Sequence, residues 1–368
     1  MKGLSVLIKP SSSQCNIRCK YCFYEDLSEE REIKSHGFMK IETLEEIVKK
    51  ALNYVENGIC NFVFQGGEPT LIGLHFYEKL IEFQKKYNLK NATINNSIQT
   101  NGFVLDEKWA KYLKENNFLV GLSLDGNEKV HNERRIDSKG EGTFDKIFKS
   151  KKLLDKYNVD YNILAVLDNT LGENIEEVYD FFKKENIRFQ QYIPCLDSIN
   201  ENKIINKNLD NKIYLKSLKK LFDMWYEDII NGNIYSIRYF ENILMIILNG
   251  RAESCDMMGH CSIQNVIESD GSIYPCDFYV IDKWKLGNIY KDTFDEIFKN
   301  KISQNFYLES LNIPEECKKC KWQKLCRNGC KRYRDINGQY KYCKEIQEFF
   351  SYSINRFLEI ANKIKNRA

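Results

Sequence analysis

The sequence predicts an α/β fold: a partial (β/α)6 TIM-like barrel followed by a smaller cysteine-rich domain. Three observations carry this. Six short runs rich in β-branched and aromatic residues alternate with amphipathic helical stretches, the rhythm of parallel βα units. Residues able to do chemistry follow the ends of those runs, where a barrel of this kind gathers its functional loops. From about Arg251 the rhythm stops, and turns, cysteines and basic residues replace it.

The six runs, in order, are Ser5 to Lys9, Cys60 to Gln65, Ala92 to Gln99, Phe118 to Asp125, Asp160 to Leu167 and Arg188 to Ile193. Between them, stretches such as IETLEEIVKKALNYV and FYEKLIEFQKKY repeat apolar residues three and four apart, one face of a helix. CNIRCKYCFY follows the first run, GGEPT the second, TNG the third, and Gly126 with Arg134 and Arg135 the fourth. A helical stretch covers Ile213 to Ile230, and Glu345 to Lys365 reads as one closing amphipathic helix. The expected divisions are 1–235 for the barrel, 236–343 for the cysteine-rich domain and 344–368 for the closing helix. No low-complexity linker separates them, so tight packing is expected.

At 368 residues, 43% apolar and 29% charged, the chain is that of a folded protein with a sizeable core. A net charge of +3 is too small to argue for nucleic acid or a membrane surface. No run reaches the roughly 20 apolar residues of a membrane span, and MKGLSVLIKP has too short an apolar core for a secretory signal. A cytoplasmic monomer with neither nucleic-acid nor membrane partner is expected. In a reducing compartment 13 cysteines are hard to read as disulfides, and those grouped at short spacings point to metal ligation.

Cys15, Cys19 and Cys22 stand at intervals of four and three. No fourth Cys or His follows at the short spacing a structural zinc site wants. Three thiolates on one loop suit a cubane iron-sulfur cluster that leaves one iron open to a ligand. With an aromatic before the last cysteine and Gly-Gly-Glu-Pro after the second strand, the pattern resembles the radical S-adenosylmethionine (SAM) superfamily. The resemblance implies that the open iron chelates SAM, which is split to methionine and a 5'-deoxyadenosyl radical. It implies further that Tyr21 lies near the adenine, that the backbone at Gly66 and Gly67 receives the methionyl amino group, and that Ser123, Arg135 and Leu196 contact ribose, carboxylate and adenine. Arg134 competes with Arg135. Two adjacent glycines suit a close backbone approach, which tolerates no Cβ.

Eight further cysteines fall in the C-terminal third, twice the four that one cluster needs. CKKCKWQKLCRNGC with Cys343 holds more thiols than one site takes, so the run must feed two, as in two-cluster ferredoxins. The pattern resembles the SPASM extension of this superfamily. That resemblance implies one auxiliary [4Fe-4S] cluster on Cys255, Cys261, Cys276 and Cys330 and a second on Cys317, Cys320, Cys326 and Cys343, three clusters in all. A pair of structural zinc sites is the blander alternative. The interleaved basic residues read as counter-charges or as a solvated face. Cys60 and Cys195 read as packed thiols, and His260 is a weaker competitor as a ligand.

The segments LIKPSSSQCNIRCKYCFY, FQGGEPTL, NSIQTNG, VGLSLDG, IRYFENIL, ESDGSIYPCDFYV and DKWKLGNI resemble the anaerobic sulfatase-maturating enzymes. The resemblance implies oxidation of a cysteine or serine in an unfolded sulfatase's Cys/Ser-x-Pro-x-Arg motif to Cα-formylglycine. A low-potential donor such as flavodoxin or ferredoxin would supply the first electron. The reaction needs a base near both substrate and electron acceptor, and Asp277 suits it. A two-residue Asp270-Gly271 hairpin would set Cys276 opposite Asn265, with Asp277 facing the other side of the strand. Tyr24 and Gln191 are weaker candidates for touching the peptide. Another SPASM peptide modifier, forming thioether or carbon-carbon crosslinks, and a non-enzymatic zinc or electron-carrier protein are the alternatives.

Overall fold

In the computed structural model, which describes residues 2–199 and 209–366, all six predicted strands are present. They are β1 (Gly3–Ile8), β2 (Ile59–Phe64), β3 (Thr93–Thr100), β4 (Phe118–Ser123), β5 (Tyr161–Leu167) and β6 (Phe189–Pro194). Each pairs in parallel with the next. The period of two sorts each strand into two faces. Leu4, Val6 and Ile8 of β1, and Cys60, Phe62 and Phe64 of β2, are buried outward against the helices. Ser5 and Leu7, Val63 and Gln65, Ser97 and Gln99 line the interior instead.

Helices cover the outside. In α1 (Ile41–Val55), Leu44, Ile47, Val48, Ala51, Leu52 and Val55 form the buried stripe, each large side chain contributing about 1.5–3 kcal/mol. Next come α2 (Leu74–Tyr87), α3 (Glu107–Glu115), α4 (Phe144–Lys156) and α5 (Ile175–Lys184). The stretch expected from Ile213 forms α6 (Asn211–Ile230), its start capped by Asp210, whose carboxylate accepts from Lys212 N and Ile213 N. The closing helix begins at Cys343 and runs to Lys365. Among the described residues, no helix is long and apolar enough to cross a membrane.

The barrel does not close on itself. β1 continues not into β6 but into Val266–Ile267, which pairs with it in parallel, followed by antiparallel Ser272–Tyr274 and Gly287–Asn288. At the other edge Ser236–Ile237 joins β6. A single ten-stranded sheet therefore runs through both parts of the chain, and hairpin residues are delivered to the C-terminal end of β1.

That hairpin departs from expectation by one residue. Val266 pairs Tyr274, and Ile267 pairs Ile273; Glu268 N bonds Ser272 O and Gly271 N bonds Glu268 O. The loop thus holds three residues, Ser269 to Gly271, with Gly271 at φ +85°, the left-handed position a three-residue hairpin loop requires. Cys276 falls opposite Gln264 rather than Asn265, and the strand ends at Tyr274. Asp277 opens a short 3-10 turn, Asp277–Tyr279, and does not lie on the strand.

Candidate active site and cysteine groups

The loop after β1 is strapped down before any ligand is considered. Ile17–Cys19 pairs antiparallel with Arg135–Asp137, Cys19 opposite Arg135. Arg135 Nη1 lies 3.6 Å from Cys19 Sγ and Asn101 Nδ2 lies 3.6 Å from Cys15 Sγ. Burial pushes the Cys15 thiol up to about 11 and that of Cys19 up to about 12, and the neighbouring thiols add to the rise. Cys22 is raised by burial as well.

Asp125, just past β4, holds this region together. Its carboxylate accepts from Arg135 Nε at 2.8 Å, Arg135 Nη2 at 3.2 Å, Val166 N at 2.9 Å and the Tyr21 hydroxyl. Burial opposes its charge, but Arg135 and its other donors outweigh burial and hold the carboxyl below its usual range. Arg134 turns elsewhere, to Asp168, although both guanidinia lie within 5.6 Å of the Tyr21 ring centroid. Asp125 is not among the residues that the sequence singles out. The trace it left was an aspartate ending an apolar strand at the functional end of the barrel.

The Gly-Gly-Glu-Pro loop has a packing logic of its own. Gly66 and Gly67 adopt φ +106° and +54°. A Cβ on Gly67 would meet Gln14 O at 2.2 Å, and one on Gly66 would run into the Lys9 side chain at 2.8 Å. The glycines therefore admit the cysteine loop and a lysine, a reason absent from the ligand-approach argument. Glu68, 1% exposed, accepts from Thr70 N and Oγ1, Thr100 Oγ1 and Asn101 N at 2.6–3.0 Å. It ties the loops after β2 and β3 together. Nearby, Ser123 Oγ accepts from Gln99 Nε2 at 3.0 Å. Leu196 is half-buried just beyond β6.

Asp277 is 4% exposed and stands at the meeting of the two parts of the sheet. Its Oδ2 accepts from the Tyr24 hydroxyl at 2.5 Å and from Gln65 Nε2 at 3.0 Å, and Gln65 also donates to Tyr24 at 2.9 Å. Lys9 Nζ is 3.6 Å from Oδ1. Burial, with the Asp277 charge, pushes the Tyr24 hydroxyl well above its usual range. Gln65 and Lys9 were missed at the sequence level, although each ends a strand segment on the functional side.

Asp277, Gln65 and Gln191 line one open cavity of about 660 Å³, together with Cys255, Cys261, Cys276 and Cys330. Burial raises the Cys276 thiol, with Cys330 and Cys255 adding to it, and pushes Cys330 up to about 12, with Cys255 and Cys261 adding. Cys317, Cys320, Cys326 and Cys343 line a second cavity. There burial pushes Cys326 up to about 12, helped by Cys343, Cys317 and Cys320. The structure thus gathers Cys255, Cys261, Cys276 and Cys330 at one cavity and Cys317, Cys320, Cys326 and Cys343 at the other. Among the described residues no three His, Cys, Asp or Glu side chains converge tightly enough to hold a single ion. Sets of soft thiolate donors, each gathered around a cavity, fit clusters of several irons.

The remaining thiols behave as packing. Cys60 and Cys195 are buried, and burial pushes each up to about 12. Arg327 and Arg334 spend their guanidinia on backbone carbonyls, those of Gly250, Met257, Ser310 and Gly329 among them. These two bind the loops around the cysteines and do not form a solvated basic face.

Known proteins resemble this chain along nearly its whole length. Residues 10–184 match the model of the Radical SAM superfamily, and residues 255–321 match that of an iron-sulfur cluster-binding domain, SPASM. A cysteine-type anaerobic sulfatase-maturating enzyme of Clostridium perfringens is 51% identical, over 99% of this chain and 100% of that protein. A serine-type counterpart from Bacteroides thetaiotaomicron is 30% identical, over 95% of this chain and 89% of that one. The solved structure "Native anSMEcpe with bound AdoMet and Cp18Cys peptide" superposes with a TM-score of 0.94 at 49% identity, covering 99% of this chain and 100% of that one. SuiB of Streptococcus suis, at 20% identity and a TM-score of 0.60 over 92% of this chain and 76% of its own, shares the fold.

Proposed function

The chain belongs to the anaerobic sulfatase-maturating enzymes of the radical SAM superfamily, and from that premise we propose how its residues carry the reaction. The reaction is the oxidation of a cysteine in a sulfatase Cys/Ser-x-Pro-x-Arg motif to Cα-formylglycine. One observation carries the assignment of roles: a buried carboxylate, Asp277, borders the same cavity as the cysteine set that includes its neighbour Cys276.

Cys15, Cys19 and Cys22 hold the SAM-binding cluster. Cys255, Cys261, Cys276 and Cys330 hold one auxiliary [4Fe-4S] cluster, and Cys317, Cys320, Cys326 and Cys343 hold the other. When bound, SAM and these clusters supply hydrogen-atom abstraction at the substrate Cβ and a sink for the electron released afterwards. Tyr21, Gly66, Gly67, Ser123, Arg135 and Leu196 surround SAM. Asp277 takes the proton of the substrate thiol. Losing that proton makes the substrate radical a stronger reductant, so the base belongs beside the electron's exit. Tyr24 and Gln65 donate to Asp277 and keep it in place. Tyr24 and Gln191 border the peptide.

Thirteen cysteines outside any disulfide, eleven of them assigned to clusters, suit a reducing, cytoplasmic setting. The partners are an unfolded sulfatase polypeptide and a low-potential electron donor of the flavodoxin or ferredoxin kind, and the enzyme acts as a monomer.

The test is anaerobic incubation of wild type and Asp277→Asn with SAM, reductant and a motif peptide, read by mass. Wild type converts the peptide. The variant keeps about 12 irons per chain, as three cubanes require, and still cleaves SAM, but forms formylglycine about 10²–10⁴-fold more slowly. Near-normal peptide turnover by the variant would remove Asp277 from the reaction.

A further inference from the structure

Four buried charges form a chain that ends at Asp277. Arg31 Nη1 lies 2.7 Å from Glu268 Oε1, the same oxygen lies 3.9 Å from Lys9 Nζ, and Lys9 Nζ lies 3.6 Å from Asp277 Oδ1. The four side chains, in that order, are 4%, 0%, 3% and 6% exposed. Two cations offset two anions, so the chain as a whole is neutral. Buried lysines are rare unless paired, and this one is paired twice.

The chain crosses the seam between the two parts of the sheet. Arg31 follows the short helix Phe23–Glu29 and Lys9 directly follows β1, whereas Glu268 lies within the hairpin of the cysteine-rich part and Asp277 just past it. Oδ2 of Asp277 is held by Tyr24 and Gln65, but Oδ1 is buried with no hydrogen-bond partner. Lys9 is the cation that faces it, its ammonium 4.2 Å over the Tyr24 ring. Room for this side chain is made by Gly66, where any Cβ would strike it.

We propose that Lys9 is a positioning residue for the reaction: bridged to Glu268, it fixes Asp277 across the seam so that the carboxylate faces the substrate cavity. The proposal rests on Asp277 being the proton acceptor. Lys9 touches neither substrate nor cofactor in this role. Its effect passes through Asp277, which gives the idea a specific signature.

The experiment is a double-mutant cycle in the cluster-loaded enzyme, reading kcat and KM for peptide, 5'-deoxyadenosine formed per formylglycine, and iron content. Lys9→Met should lower kcat for formylglycine by about 10²-fold, the cost of a misplaced catalytic group, with peptide KM and iron unchanged and more 5'-deoxyadenosine formed per product. Lys9→Arg, which keeps the charge, should recover part of the loss. In an Asp277→Asn background Lys9→Met should change the residual rate by less than about twofold, because both act through one group. Glu268→Gln, which leaves Lys9 in place, should show a smaller loss that also vanishes in that background, and it serves as a second arm if Lys9→Met folds poorly. If Asp277→Asn is inactive while Lys9→Met and Glu268→Gln turn over normally, Lys9 has no such role and the base assignment stands. Losses that multiply in the double variant overturn the proposal too. Normal turnover by Asp277→Asn overturns the base assignment itself.

Discussion

Neutralising Asp125 should destabilise the enzyme by an amount the geometry sets. Asp125 is 1% exposed and Arg135 6% exposed, and Arg135 donates Nε at 2.8 Å and Nη2 at 3.2 Å to it. Asp125→Asn keeps the shape but puts an amide N–H₂ where one oxygen accepted, and it strands a buried guanidinium. Breaking a buried pair from one side costs about 3–5 kcal/mol. An unfolding entropy of about 2.1 cal/mol/K per residue over 368 residues gives about 0.8 kcal/mol/K, so Tm should fall by about 4–6 °C. Arg135→Gln should cost a similar amount, because it strands the carboxylate instead. The double variant should lose clearly less than the two losses summed, because neither charge is then left alone. Calorimetry under argon on the four proteins measures this. Strict additivity, or single losses under about 1 kcal/mol, would refute the view of Asp125–Arg135 as a coupled buried pair. Since Asp125 also holds Tyr21, KM for SAM should rise in the single variants while KM for the peptide stays put.

Gly67→Ala should disturb the cysteine loop, because its Cβ would stand 2.2 Å from Gln14 O at a φ of +54°; iron should fall by about four per chain, one cubane, read by iron assay and electron paramagnetic resonance. Cys326→Ala and Cys330→Ala should each weaken a different auxiliary cluster, so their low-temperature spectra should differ; identical spectral losses would contradict the division into two sets. His131, held down to about 3 by burial against the opposing charge of Asp125, stays neutral in the folded protein while the unfolded chain takes up a proton near pH 6.5. Stability should therefore fall as pH drops below about 6.5, approaching about 1.4 kcal/mol per pH unit between pH 5.5 and 4 from this group. His131→Gln should flatten that slope in denaturation curves taken across the range, and an unchanged slope would rule the group out.

The fold was legible where periodicity was strong. All six barrel strands were readable as short runs rich in β-branched and aromatic residues between amphipathic helices, and the cysteines were visible as groups at short spacing, whereas their division into two sets of four came from the SPASM resemblance. What stayed hidden depends on contacts between distant segments. Asp125 and Glu68 are single carboxylates whose importance lies in donors from several loops, Tyr21, Arg135 and Val166 for one, Thr70, Thr100 and Asn101 for the other. Lys9 looked like the polar end of a strand, and only the pairing of Val266–Ile267 with β1 brings Glu268 and Asp277 to it. The glycines of the second loop were credited to ligand approach, yet the nearer constraint is Gln14 and Lys9.

The hairpin shows why a wrong local register left the chemical argument intact. Separation of Cys276 from Asp277 was expected from strand alternation, but the strand ends at Tyr274 and the chain turns into a 3-10 helix at Asp277. Cys276 remains extended, at φ −154° and ψ 146°, so the two neighbours still diverge, Cys276 toward Cys255 and Cys330 and Asp277 toward Tyr24, Gln65 and Lys9. The donors around Asp277 then say what it can do. A carboxylate accepting a hydroxyl and an amide N–H on one oxygen is arranged as an acceptor. Once it carries a proton, the Gln65 N–H has no lone pair to offer in return, whereas the Tyr24 hydroxyl can rotate and accept. If Asp277 takes the substrate's proton, Tyr24 is therefore the neighbour that adjusts and Gln65 the one that stays fixed. That gives two side chains on the same oxygen different work, one steadying the base and the other accommodating the proton.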